Sequence, residues 1–109
     1  MKRLLVAVLL GACCASPAPA GQRENALKNI AQAFAAERIC SRVEITKGSV
    51  VLAAAYFGID FDRDRAELMT EITRQIDAWK GKPEDAACVA ALLLYGPNGT
   101  NVRNLIHEK

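Results

Sequence analysis

The sequence predicts an all-α domain: a small bundle of four helices plus a short C-terminal helix or strap, stapled by one disulfide between Cys40 and Cys88. Three observations predict it. Leu68, Ile72, Ile76 and Trp79 recur at helical spacing within 64–79, with charged residues on the opposite face. Val50 to Phe57 and Ala86 to Tyr95 are apolar runs bounded by Gly, Pro and capping residues. The 109 residues are 51% hydrophobic and 24% charged, which suffices for one core and excludes a disordered polyelectrolyte.

Met1 to Ala20 reads as a secretory address. Lys2 and Arg3 supply a positive start, Leu4 to Ala12 an apolar run, and Ser16 to Ala20 a stretch of small residues and proline. That run is too short for a hydrocarbon core, which takes about 20 residues of helix. Two processing sites compete. Ala18-Pro19-Ala20 fits the A-x-A rule, giving a signal peptide over 1–20 and a single domain over 21–109. Leu10-Gly11-Ala12-Cys13 resembles the lipobox of bacterial lipoproteins, which would make 1–12 the signal and Cys13 the lipidated first residue. Both place the domain beyond the inner membrane: periplasmic or secreted in the first case, lipid-anchored in the envelope in the second.

Charge narrows the partners. Lys and Arg total 14 against 12 Asp and Glu, and Lys2 and Arg3 leave with the leader, so the domain is formally neutral. A neutral domain without a basic stripe is not a nucleic-acid binder and does not steer polyanions. Contact with a membrane is expected only through a lipid anchor at Cys13.

The first helix runs from Gln22 to about Arg38, with Leu27, Ile30, Ala31 and Phe34 on one face, and loosens near Cys40. The second occupies Val50 to Phe57. Thr46 or Ser49 is its N-cap, and Gly58 its left-handed C′ residue with Ile59 following. Its few polar residues predict burial, and Ala53-Ala54-Ala55 favours helix over strand. The third begins at Asp64, which with Glu67 forms a pair resembling a capping box, and stops at Gly81 and Pro83. The fourth starts at Pro83-Glu84-Asp85, with two acids at the positive end of its dipole. Ala86 to Tyr95 is apolar almost all round, which predicts the central helix. Gly96-Pro97-Asn98-Gly99 is a turn, and Val102, Leu105 and Ile106 form a last short helix or strap before a frayed Glu108-Lys109.

Cys13 and Cys14 lie in the targeting segment, so the domain holds only Cys40 and Cys88. In an exported chain such a pair reads as a disulfide. There is no C-x-x-C to make it redox-active, and two Cys with one His fall short of a zinc site.

No constellation carries catalytic chemistry, and no cofactor is implied. Asp60-x-Asp62-x-Asp64 with Glu71 at the twelfth position mimics the ligand spacing of a calcium loop. Arg65 stands where such a loop needs Gly, and Arg63 and Arg65 bring positive charge to the cation's place, so a solvated helix entry is expected instead of a metal site. His107, the single histidine, sits near the end of the chain without a sequence-adjacent Ser, Cys or Asp, and is expected to be solvated. Asn98-Gly99-Thr100 has the form of a glycosylation sequon and reads as turn chemistry. Phe34, Tyr56, Phe57, Phe61, Trp79 and Tyr95 are expected mostly in the core, with Tyr56, Phe61 and Tyr95 adjoining helix ends where they can rim a binding surface.

The sequence therefore predicts a non-enzymatic binding or interaction module of the bacterial cell envelope, whose partner is another envelope protein. An alternative follows from layout. A short exported helical chain with one disulfide, Cys40 to Cys88, closing a loop of similar length resembles the HdeA-type periplasmic chaperones; the likeness covers architecture and those two positions. It implies an acid-stress chaperone. Protonating all 12 acids would take the domain to about +13, counting His107, and such self-repulsion opens marginal folds.

Overall fold

The computed structural model describes residues 20–109, so the leader and Cys13 lie outside the described residues. Four helices and two short strands follow one another: α1 (Ala20–Ile39), β1 (Val43–Ile45), α2 (Lys47–Tyr56), α3 (Arg65–Ala78), α4 (Glu84–Tyr95) and β2 (Ile106–Glu108). The fold is mainly helical, and a two-stranded ladder qualifies the all-α expectation.

The central helix is α1, not α4. Ala26, Leu27, Ile30, Ala31, Ala33, Ala35 and Ala36 are all buried and spread round much of its circumference. Five of these seven are alanines, and small side chains let neighbouring helices approach closely. α3 packs most extensively along α1, while α4, α2 and β1 cover its other sides. Because α1 fills the middle with so little side-chain volume, the two apolar helices stay on the surface. α4 buries Ala87, Cys88 and Tyr95 and turns Val89, Leu93 and Leu94 outward. α2 buries Val50 and Ala54 and turns Val51, Leu52 and Tyr56 outward, against the expectation of a buried helix.

α3 follows its periodicity: Leu68 and Ile72 are buried and Ile76 packs against the core. Its N-terminus differs in detail. The Asp64 side chain caps no amide of α3. Instead its Oδ2 accepts from the Asp60 N–H at 2.9 Å and from Arg63 at 2.9 Å, and pairs with Arg23 of α1 at 3.0 Å. Glu67, the other half of the expected capping box, also faces Arg23, at 3.3 Å. Two cations outcompete the helix amides for these carboxylates. Gly58 ends α2 as expected, at φ 74°, a conformation open to glycine without steric cost, and the following Ile59 is buried.

The strap and frayed end are replaced by order. β2 pairs antiparallel with β1 in the register Val43↔Glu108, Glu44↔His107, Ile45↔Ile106, and the Lys109 N–H donates to the Arg42 carbonyl at 2.9 Å. Val43, Leu105 and Ile106 are buried beneath it. The outer edge of β1 is closed by Glu37 of α1, whose carboxylate accepts the Ile45 N–H at 3.0 Å. Upstream of β2, the segment 96–105 folds back over the end of α4. The N–H groups of Thr100, Asn101 and Leu105 bond the carbonyls of Leu93, Leu94 and Tyr95, satisfying acceptors that a helix leaves open. Gly99 is buried in this turn, where a Cβ would stand 2.5 Å from the Leu94 carbonyl oxygen. Among the described residues no helix is long and apolar enough to cross a membrane.

Candidate functional site

The packing brings Cys40, at the end of α1, to disulfide distance of Cys88 on α4, with Cα atoms 5.4 Å apart. The bond is fully buried and flanked by polar clamps. Glu84 accepts the Ser41 N–H at 2.9 Å and the Ser41 hydroxyl at 2.8 Å, and Arg42 pairs with Asp85 at 3.3 Å. The Ser41 amide and hydroxyl hold the Glu84 carboxyl below its usual range. Among the described residues, Cys40, Cys88 and Glu84 alone gather possible metal donors, and both sulfurs are bonded to each other.

The residues spaced like a calcium loop form a turn held by its own contacts. The Asp60 carboxylate accepts the N–H groups of Arg63 and Asp62, both at 2.8 Å, which hold it below the usual carboxylate range. Asp64 is pulled further down, by Arg63 first, then by the Asp60 amide and by Arg23. Glu71 is buried on α3, bonded to Arg74 and to Gln75 at 2.9 Å, away from the turn. The carboxylates of Asp60, Asp64 and Glu71 thus answer to amides, arginines and an amide side chain, not to one another.

These depressed carboxyls fix a pH dependence. A group whose folded value lies below its unfolded one stabilises the fold above about pH 4, and that contribution fades as pH falls through the folded value. Asp64→Asn should therefore lower the urea midpoint at pH 7. The gap to wild type should shrink steadily as pH falls below about 4. A gap that is constant with pH would show that the Arg63–Asp64–Arg23 bridge does not couple to folding.

His107 is half-buried and bonded at both ring nitrogens, not solvated. Nε2 lies 3.0 Å from a Glu44 carboxylate oxygen across the ladder, and Nδ1 lies 2.7 Å from Thr46 Oγ1. Glu44 can only accept, so in the neutral ring Nε2 carries the proton and Nδ1 accepts from the threonine hydroxyl. Thr46 is the N-cap residue of α2, and its hydroxyl bonds the imidazole and no helix amide. The hydroxyl–imidazole–carboxylate order is that of a nucleophile and its base. Yet Thr46, His107 and Glu44 line none of five clefts found among the described residues. The effect of the relay is to tie β2 to the start of α2. Sequence reasoning missed it because Glu44 and Thr46 stand some sixty residues from His107.

Large apolar side chains are exposed on α2 as well as on α4. Leu52 is 72% and Tyr56 80% exposed, one turn apart, with Val51 beside them at 55%. Along this outward stripe the only charge in α2 is Lys47, at its start. Tyr56 also reaches the rim of a cleft of about 360 Å³ between α1 and α2. Its floor is Ile30, Phe57, Val102 and Leu105, and its α1 edge carries Gln22, Asn25 and Asn29. Of the three aromatics expected at a rim, Tyr56 is the exposed one, its ring edge-on to Phe57 with centroids 4.9 Å apart. Phe61 packs edge-on against Phe34 with ring centroids 6.3 Å apart. Tyr95 is buried, with its hydroxyl on Asn29 at 3.1 Å and on Gln32, and with Asn101 3.2 Å away. Burial pushes its phenol up from the ordinary value. The amide row Gln22, Asn25, Asn29, Gln32, spaced by three, four and three residues, was the overlooked signal for this edge.

Comparison with known proteins returns no matching family model, no matching curated protein and no matching solved structure.

Proposed function

We propose that this chain is a non-catalytic binding module of the bacterial cell envelope, which docks another envelope protein through the apolar side chains that α2 turns outward. The observation that carries this reading is the Val51–Leu52–Tyr56 face, on a helix with one terminal charge, beside an open apolar cleft. Large apolar side chains exposed together on a small domain mark interaction sites. Tyr is also among the side chains that anchor protein interfaces most strongly. Export rests on the leader over 1–20, with a lipid on Cys13 as the alternative attachment.

A photo-crosslinker at Leu52 in cells should yield one stoichiometric adduct, whereas one at exposed Lys82 should not. Leu52→Glu should abolish capture of that partner while changing stability by less than about 0.5 kcal/mol, as expected for an exposed site. Capture of the partner that survives Leu52→Glu would count against the face.

The HdeA-type alternative is favoured by one observation. Three carboxylates with lowered titration, Asp60, Asp64 and Glu84, sit in contacts that fasten the fold, so acid loosens it. An acid chaperone must suppress aggregation of client proteins near pH 2 to 3, where compact acid-expanded states form. Failure to do so would end that reading.

A further inference from the structure

We propose that the α1–α2 cleft is a separate small-molecule site, selective for an uncharged amphiphile: an alkyl chain bearing a hydroxyl- or amide-rich head. The site goes beyond the protein-docking reading and does not depend on it. At about 360 Å³ the cleft falls within the size range of ligand pockets, about 300–1,000 Å³. Its floor is fixed, because Ile30 and Leu105 belong to the core, and it is apolar throughout.

The lining excludes charge. No side chain around the cleft is ionisable in the physiological range, although a quarter of the chain is charged. Of the nearby charges of α1, Arg23 pairs with Asp64 and Glu67 at α3, and Lys28 lines not the cleft but an adjoining depression that shares Asn25 and Asn29 with it. An ionised ligand group would lose water there without a counter-charge, which costs far more than burying a paired polar group. A neutral head meets suitable partners. Gln22 and Asn25 carry both donors and acceptors, as does the Tyr56 hydroxyl, so hydroxyls or amides can be matched in either sense. The chain of such a ligand would lie on Ile30, Phe57 and Val102.

The test is a titration of the protein purified as the cell processes it, with n-octyl glucoside kept below its micelle concentration and followed by ¹H–¹⁵N correlation spectra. Saturable shifts are expected at Ala26, Ile30, Phe57 and Val102. Octanoate and octyltrimethylammonium, which share the chain but carry charge, should bind at least about tenfold more weakly. Ala53→Leu narrows the cleft from its α2 wall and should abolish saturation. Asn25→Ala, at an exposed position, should weaken binding by about three- to tenfold, a net hydrogen bond's worth, with the fold intact. Leu52→Glu, outside the cleft, should leave binding unchanged, which separates this site from the docking face. Shifts that do not saturate, charged analogues that bind equally, or indifference to both cleft variants would overturn the proposal. So would a cleft already filled by a second copy, seen as cleft resonances that ignore the titrant.

Discussion

Replacing Cys40 and Cys88 together by Ser should cost about 4 kcal/mol, the loop-entropy value for a crosslink spanning 48 residues. The stability expected for a domain of this size is about 5–10 kcal/mol, so the variant would keep only a small margin. A 4 kcal/mol loss corresponds to a fall in Tm of about 15–30 °C, measured by circular dichroism at neutral pH. Reduced wild type should fall by a similar amount. The polar contacts beside the bond do not replace it. Arg42 and Asp85 are largely exposed, and an ion pair in that setting contributes about 0–1 kcal/mol. Without the crosslink, α4 is held to α1 mainly by Ala87, Tyr95 and the amide contacts of Asn29, Gln32 and Asn101. A decrease in Tm below about 5 °C would mean that those contacts, not the covalent bond, fasten α4.

Much of this architecture was legible in the chain, and the exceptions share a physical cause. The α3 pattern survives because Leu68, Ile72 and Ile76 form a stripe whose polar opposite faces water, so local periodicity reports burial directly. Gly58 and the cysteine pair are equally local or unique signals, having one stereochemical or one covalent solution. Burial of α2 and α4 was misjudged because an apolar helix goes inside only when enough chain exists to cover it. Here α1 takes the centre with alanines, which weigh little in any hydrophobic pattern yet allow close approach on several sides. The ladder was hidden for another reason. Val43–Ile45 and Ile106–Glu108 are three residues each, too short to show alternation, and they meet across most of the domain. His107 and the Tyr95 amide cluster depend on the same long-range closures, so neither their partners nor their burial could be read locally. The cleft between α1 and α2 joins two features with separate origins. Gln22, Asn25 and Asn29 lie along α1 and Tyr56 ends the exposed stripe of α2; only packing sets them around one cleft.

A direct contest between the two assignments of the centre is available in one pair of substitutions. If α1 is the core helix, Ile30→Ala removes a side chain only 1% exposed and should cost about 2–5 kcal/mol in chemical denaturation. Leu93→Ala, on α4 at 62% exposure, should stay within about 0.5 kcal/mol of wild type. The Leu93 carbonyl, which accepts the Thr100 N–H and hydroxyl, belongs to the backbone and survives the change. Alanine is also a slightly better helix former, so any residual effect would be small and of either sign. Were α4 buried all round, as its composition alone suggests, the order of the two costs would be reversed. The size of the Ile30 cost carries further information, because this side chain also floors the α1–α2 cleft. A cavity that opens onto an existing cleft can fill with solvent or with ligand, so a loss near the lower end of the range is expected. A loss near the upper end would place Ile30 in a sealed core and separate the cleft from it.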